Sequence, residues 1–220
     1  MTPIIFDLDG TLLNSAPDIQ AAVNRLMGDL GQEPLDLDTV ISFIGNGIGV
    51  LCARVAEHRG LPAADVPALT RQLLAHYNAV PATLTHDYPG VFDALAQMQS
   101  RGHPMAVCTN KPEEPARKVL TTFGFDPFFE TVVGGDTCAT RKPDAGPLRE
   151  TMGRLGQTRC IYVGDSEVDA ATAKAAGVPF VFFTQGYCHV PPATLTIHAT
   201  FDDWSALPGI VAGLSELPVA

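Results

Sequence analysis

Two aspartates, Asp7 and Asp9, directly follow an apolar run near the start of the chain. Residues 4–6 of that run belong inside a fold, whereas two neighbouring carboxylates repel each other and resist losing their water. A bound divalent cation would offset this repulsion, because hard cations prefer carboxylate oxygens. An Asx turn after a strand explains Asp-x-Asp-Gly equally well, so this segment alone leaves both interpretations open.

Two more polar clusters follow apolar runs of strand length. Thr109-Asn110 ends one such run, and Gly164-Asp165 ends another. Ligands of parallel sheets bind at the carboxyl ends of the strands, so we expect these clusters and Asp7 to converge at one edge of a sheet.

The apolar runs alternate with segments of helical periodicity. This alternation predicts an α/β fold, a doubly wound parallel sheet with helices on both faces. A short last strand and a closing helix are predicted between residues 199 and 214, with Asp202 or Asp203 at the helix start. The predicted strands before it are 3–8, 104–109, 130–134, 160–163 and 179–183.

An unusually long interval separates the first strand from the second. Residues 16 to about 87 read as helical, with helices predicted from residue 16, over 37–44, over 48–58 and from 61 to about 79. A crossover between strands rarely needs so many residues. We therefore predict an α/β core of residues 1–15 and 84–220, with an all-helical cap domain, residues 16–83, inserted into it.

Four separated motifs resemble, in order, those of the haloacid-dehalogenase (HAD) superfamily of phosphohydrolases. The resemblance spans nearly the whole chain and implies a Rossmann-like core with an inserted cap. The motifs are Asp7-Leu8-Asp9-Gly10-Thr11, Thr109-Asn110, Lys142-Pro143 and Gly164-Asp165-Ser166-Glu167-Val168-Asp169.

Within that superfamily, the chain is most similar to the bacterial phosphoglycolate phosphatases. This resemblance is carried by the segments 43–47, 109–112 and 134–136. The chain departs from the pattern at Ala145, where a second proline is usual. The departure concerns the shape of the loop and leaves Lys142 in place.

The resemblance and the chemistry of phosphate esters together assign roles to the carboxylates. Asp7 would attack phosphorus and form an aspartyl-phosphate, with Mg²⁺ neutralising the charge of the phosphoryl group. The expected metal site uses Asp7, the main-chain carbonyl of Asp9, and Asp165, with Asp169 behind them or linked through water. Asp9 would protonate the leaving alkoxide and later take a proton from water.

Positive and hydrogen-bonding groups would hold the phosphoryl oxygens. Thr109 and the main-chain N–H groups around Asn110 are the expected donors, and Lys142 would hold Asp7 and the phosphoryl group together. Each assignment has an ordinary structural alternative. Thr109-Asn110 and Asp165-Ser166 also suit helix N-caps, Lys142 suits a surface charge, and Asp169 suits an exposed helix position.

The turn Gly45-Asn46-Gly47 in the cap is a candidate substrate-binding element. Its N–H groups at a helix start suit an anion such as a carboxylate, and a plain Gly-rich turn explains it equally well. Arg54, Lys111 and Arg141 are possible counter-charges.

The sequence predicts a Mg²⁺-dependent phosphatase that hydrolyses a small phosphorylated metabolite. The best single candidate for the substrate is 2-phosphoglycolate. Inorganic pyrophosphatase and sugar-phosphate phosphatase or mutase activity are the alternatives, although only Asp18 among residues 18–20 suits the base of a mutase. The presence of Asp9 disfavours a dehalogenase, and the absence of lysine from residues 16–87 further disfavours a phosphonatase. A non-catalytic receiver-like module is a possibility of another class; an NAD-binding domain lacks its Gly-x-Gly-x-x-Gly.

Composition narrows the partners and the compartment. With 14 Lys+Arg against 24 Asp+Glu and no basic run, we expect neither a nucleic-acid nor a membrane partner. Five cysteines without Cys-x-x-Cys spacing suit free thiols. No signal segment or apolar span is evident, so we expect a cytoplasmic monomer or homodimer.

Overall fold

The computed structural model describes residues 1–79 and 82–216. The chain divides into two compact units, one formed by Met1–Leu13 and Asp87 onward, the other by Asn14–His86. These limits differ by two and three residues from the predicted ones at 15/16 and 83/84. The chain passes between the units at two short paired strands.

The larger unit is built on a six-stranded sheet whose pairings are all parallel. The strands along the described chain are β1 (Ile4–Phe6), β2 (Leu13–Asn14), β3 (His86–Asp87), β4 (Met105–Cys108), β5 (Thr131–Val133), β6 (Ile161–Gly164), β7 (Phe180–Phe183) and β8 (Ala199–Phe201). The order of strands across the sheet is β5-β4-β1-β6-β7-β8.

Helices connect most of these strands, as the alternating pattern predicts. Short 3₁₀ turns lie at Ala63–Asp65, Asp126–Phe128, Pro192–Thr194 and Trp204–Ala206. The helices along the described chain are α1 (Ala16–Asp29), α2 (Leu37–Ile41), α3 (Ile48–His58), α4 (Val66–Ala79), α5 (Val91–Ser100), α6 (Glu113–Thr122), α7 (Gly146–Arg154), α8 (Glu167–Ala176) and α9 (Leu207–Ser215).

Both faces of the sheet are covered. Neighbouring side chains on a strand point to opposite faces, and two neighbours on β1 are each packed against other elements. Ile5 packs into a buried cluster with Leu148 of α7 and Ala173 of α8. The ring of the next residue, Phe6, stacks on Trp204 at 6.1 Å between centroids. The prediction of an α/β, doubly wound parallel sheet is confirmed.

The register of the three central strands positions the candidate site. Phe6 of β1 is paired with Val107 of β4 on one side and with Val163 of β6 on the other. The residues that follow these three partners therefore emerge side by side at the carboxyl edge of the sheet, with Asp7 in the middle.

The smaller unit is helical, with α1 packed against α2 and α4, and α3 against α4. Ser15 is the N-cap residue of α1. Helix α2 ends at Ile41, three residues before the predicted end, and the chain turns before α3 through Gly45 and Gly47 at φ +115° and +85°. Such dihedrals favour glycine, because a Cβ atom would clash with the backbone.

Two expectations from composition can be compared with the structure. All five cysteines are unpaired thiols, three of them buried. Among the described helices, none combines the length and the apolar character needed to cross a bilayer.

Candidate active site

The turn after β1 separates the side chains of Asp7 and Asp9. The carbonyl oxygen of Leu8 accepts hydrogen bonds from the N–H groups of Thr11, Leu12 and Leu13, which folds the chain tightly back. Gly10 sits in this turn at φ +88°, a conformation that favours glycine. Asp7 thus remains at the strand end, while the carboxylate of Asp9 lies apart from that of Asp7 and has a different partner.

Asp7 is part of a buried cluster of three carboxylates. One oxygen from each of Asp7, Asp165 and Asp169 lies within 4.8 Å of the other two. The strand pairing explains the first two positions, and the first turn of α8 brings Asp169 back to the same edge. The convergence predicted for Asp7 and Asp165 is therefore observed.

The ammonium group of Lys142 joins this cluster. Its Nζ atom lies 2.9 Å from Asp7 Oδ1 and 2.7 Å from Asp169 Oδ1, and it donates a hydrogen bond of 2.9 Å to the hydroxyl of Tyr162. Burial lowers the pKa of Lys142, but Asp169 and Asp7 outweigh it and raise the pKa above its ordinary value. Lys142 is a buried, fixed positive charge, so the alternative of a surface position is wrong.

Asp169 is fully buried and its two oxygens are both engaged. Oδ1 accepts from Lys142 and from Tyr162 at 2.9 Å, and Oδ2 accepts from the N–H of Ser166 at 3.1 Å. Ser166 and Asp169 form a capping box at the start of α8. The alternative of an exposed helix position is wrong, and these bonds place Asp169 where it holds the Lys142 ammonium in the cluster.

Asp165 is anchored from two sides. Its Oδ1 accepts a hydrogen bond of 2.6 Å from the Thr11 hydroxyl, and its Oδ2 accepts one of 2.7 Å from the N–H of Tyr187. A Cβ atom on Gly10 or Gly186 would overlap the Asp165 carboxylate. Glycine at these two positions therefore leaves room for this side chain.

The electrostatics of the cluster fit a divalent cation. Burial raises the pKa of Asp7 to about 7 against the opposing effect of Lys142, and burial, together with Asp169 and Asp7, raises the pKa of Asp165 well above its ordinary value. Three carboxylates facing one ammonium leave negative charge uncompensated. Asp7 Oδ1 lies 2.9 Å from Lys142 Nζ, and a divalent cation beside the three carboxylates would compensate the remaining negative charge.

Asp9 lies outside the carboxylate cluster and pairs with another lysine. Lys111 Nζ donates to Asp9 Oδ1 at 3.0 Å and to Oδ2 at 3.2 Å. The predicted counter-charge Lys111 is thus at the site, whereas Arg141 donates to the carbonyl oxygen of Gly135 at 2.6 Å.

Thr109 and Asn110 follow β4 without capping a helix. The residue at the N-cap of α6 is Pro112, so the N-cap interpretation is wrong for both. Thr109 Oγ1 accepts the N–H of Lys111 at 3.2 Å. The Asn110 side chain is bonded to the main chain of Lys142, so a role toward phosphate falls to its main-chain N–H.

The predicted substrate-binding turn lies in the smaller unit and is described within that unit. Arg54 braces it, donating to Asn46 Oδ1 at 2.9 Å and to the carbonyl oxygen of Phe43 at 3.1 Å. Arg54 is half-buried. Gly47 is the N-cap residue of α3, as a helix-start anion site requires, and ligand binding by Gly45, Asn46 and Gly47 stays a prediction.

Comparison with known proteins decides the family. The model of the haloacid dehalogenase-like hydrolases matches residues 4–183. The chain belongs to this family. A phosphoglycolate phosphatase of Cereibacter sphaeroides is 46% identical over 216 residues, covering 97% of this chain and 99% of the relative.

Solved structures of this hydrolase family have the same fold. The crystal structure of a predicted phosphoglycolate phosphatase from Haemophilus somnus matches with a TM-score of 0.89 at 31% identity, covering 96% of this chain and 97% of that one. CbbY from Rhodobacter sphaeroides in complex with phosphate matches with a TM-score of 0.79 at 25% identity, covering 98% and 100%.

Sequence reasoning assigned no role to Thr11 or to Tyr162, whose side chains this hydrolase places in the site. Thr11 stands inside the first motif, but only the fold reveals that it reaches Asp165. Tyr162 is the one hydroxyl-bearing residue of β6, and a buried Tyr hydroxyl usually needs a partner. That second signal was available in the sequence.

Proposed function

We propose that this hydrolase is a Mg²⁺-dependent phosphatase that cleaves a small phosphomonoester, best 2-phosphoglycolate, through an aspartyl-phosphate on Asp7. The observation that carries the proposal is that a carboxylate oxygen of Asp7 lies within 4.8 Å of one of Asp165, while Asp7 Oδ1 lies 2.9 Å from the fixed ammonium of Lys142. The family membership and the names of the curated relatives support the same reaction.

In the first step an Asp7 oxygen attacks phosphorus, and the bond from phosphorus to the ester oxygen breaks. Lys142, held by Asp169, keeps positive charge at the point of attack. The Thr109 hydroxyl and the neighbouring main-chain N–H groups donate to the phosphoryl oxygens. Such preorganised donors usually make the largest contribution to catalysis.

Asp7, Asp165 and the main-chain carbonyl of Asp9 would hold the cation. A bound Mg²⁺ supplies charge neutralisation and alignment of the phosphoryl group against the nucleophile. Asp169 acts behind them, because its oxygens already accept bonds from Lys142 and from the start of α8.

Asp9 moves the protons. In the first step it donates a proton to the leaving alkoxide, which departs as the alcohol. In the second step it accepts a proton from a water molecule that attacks phosphorus, the bond to Asp7 breaks, and inorganic phosphate is released. Positioned proton transfer of this kind contributes about 10²- to 10⁴-fold in rate.

The choice of substrate rests on the relatives rather than on the site. The phosphoglycolate phosphatase of Rhodospirillum rubrum is 44% identical over 213 residues.

The five unpaired thiols suit the reducing cytoplasm that the composition predicts. The oligomeric state, monomer or homodimer, stays a prediction.

The mutase alternative needs a carboxylate near the start of the cap, and Asp18 is the only residue of suitable type there. Its oxygens accept hydrogen bonds from the N–H of Leu84 at 3.1 Å and from the N–H and hydroxyl of Thr85 at 2.7 and 2.6 Å. This bonding gives Asp18 a structural duty inside the helical unit and favours the phosphatase.

A substrate panel with and without Mg²⁺ tests the proposal. We expect turnover of 2-phosphoglycolate to exceed that of pyrophosphate and hexose phosphates, to stop in EDTA and to return with Mg²⁺. Preference for pyrophosphate would support the alternative, and full activity in EDTA would refute the role of the metal. Stable phosphorylation without turnover of any ester would point to a receiver-like module.

A further inference from the structure

Lys111 is a second buried lysine of the site, distinct from Lys142 in its partner. The Lys111 side chain is 6% exposed and its ammonium bonds both oxygens of Asp9, whose side chain is 16% exposed. Lys142 instead contacts Asp7 and Asp169. The two positive charges thus serve different carboxylates.

This division matches the two ends of the scissile bond. In the proposed reaction Asp7 takes the phosphoryl group, while Asp9 touches the leaving oxygen. The Lys111 ammonium lies 3.0 Å from Asp9 Oδ1. It therefore lies beside the group that is attached to the leaving oxygen of the ester. The main chain of Lys111 is fixed as well, because its N–H donates to Thr109 Oγ1 and its carbonyl oxygen accepts from the Gly135 N–H at 2.8 Å.

We propose that Lys111 binds a carboxylate on the leaving group and so selects phosphate esters of 2-hydroxy acids. The proposal rests on the proposed phosphatase function. In 2-phosphoglycolate one methylene separates the ester oxygen from the carboxylate, which brings the carboxylate within reach of an ammonium that contacts Asp9. Charge-assisted hydrogen bonds of this kind are short and about twice as strong as neutral ones.

The test compares 2-phosphoglycolate with ethyl phosphate, which has a methyl group where the carboxylate stands. In Lys111→Met we expect kcat/KM for both esters to fall, because Asp9 loses its partner, and kcat/KM for 2-phosphoglycolate to fall about 10- to 100-fold further than that for ethyl phosphate. Lys111→Gln keeps a donor toward Asp9 without the charge, and we expect the same selective loss. This variant decides the matter if the methionine variant does not fold.

A matched control is Lys118→Met, which removes an exposed lysine of α6. We expect it to leave both rates unchanged. If kcat/KM falls by the same factor for both substrates in both Lys111 variants, the proposal is overturned, because Lys111 then only positions Asp9. No change in kcat/KM for either substrate would overturn it as well. Failure of the wild-type protein to cleave either ester would instead refute the phosphatase function itself.

Discussion

The side-chain amide of Asn110 makes two hydrogen bonds to the main chain of Lys142. Nδ2 donates to the Lys142 carbonyl oxygen at 3.0 Å, and Oδ1 accepts the Lys142 N–H at 3.1 Å. The loop after β4 is thus tied to the loop that carries Lys142. The Asn110 side chain therefore fixes the main chain from which the Lys142 side chain extends.

Replacement of Asn110 should therefore act through Lys142. We expect Asn110→Ala to lower kcat more than it changes KM, and to lower the free energy of unfolding by about 1–3 kcal/mol, because it leaves buried main-chain groups unpaired. Steady-state kinetics and urea unfolding measure the two effects. A rise in KM alone, with kcat intact, would indicate that the Asn110 side chain binds substrate after all.

The room around Asp165 gives a steric prediction. A Cβ atom at Gly186 would overlap the Asp165 carboxylate, so we expect Gly186→Ala to cost about 1–3 kcal/mol of stability and to weaken Mg²⁺ binding. Titration of activity with Mg²⁺ measures the second effect.

The control for this variant is Gly153→Ala on α7, where a Cβ atom meets nothing within 4 Å. There alanine should stabilise the helix by about 0.5–1 kcal/mol and leave the Mg²⁺ requirement unchanged. Equal effects of the two substitutions on Mg²⁺ affinity would contradict the proposed packing around Asp165.

The raised pKa of Asp7 links pH, stability and metal binding. Its value of about 7 lies above the ordinary 3.8, so the stability that protonated Asp7 gives the metal-free protein is complete below the ordinary pKa and is lost as pH rises toward and through 7. A cation needs the ionised carboxylates. We therefore expect the increase in Tm caused by Mg²⁺ to grow between about pH 5 and about pH 8.

Asp7→Asn tests whether the pH dependence of the Mg²⁺-induced Tm increase comes from Asp7 or from other titrating groups. The variant cannot ionise at residue 7, so its Tm increase with Mg²⁺ should be small and should vary less with pH. Thermal unfolding in Mg²⁺ and in EDTA across this range provides the measurement. A Tm increase that is independent of pH and equal in both proteins would refute Asp7 as a ligand.

Part of the site was predictable because ligands of parallel sheets bind at the carboxyl ends of the strands. Apolar runs identified β1, β4 and β6, and their parallel pairing brought Asp7 beside Asp165 without any knowledge of side-chain contacts. The position of Lys142 followed only from family resemblance, because a lone lysine in a loop has no periodic signal.

The bonding partners were not predictable in the same way. Asp169 reads as a polar residue on a helix, yet the capping box turns it inward. The direction of the Lys111 side chain depends on the loop after β4, which no local pattern specifies. Whether these side chains bind a ligand or hold one another depends on distances of a few tenths of an ångström, and these depend on the complete fold.

Trapping of phosphorylated Asp7 tests the central claim most directly. Asp9→Asn should still transfer a phosphoryl group from an aryl phosphate, whose leaving group needs no acid, but should hydrolyse the intermediate slowly. After acid quench in Mg²⁺, mass spectrometry of the peptide containing Asp7 should reveal one added phosphoryl group, absent from the same peptide of Asp7→Asn. Turnover by the wild-type enzyme with no phosphoryl group on that peptide in either wild type or Asp9→Asn would contradict the account.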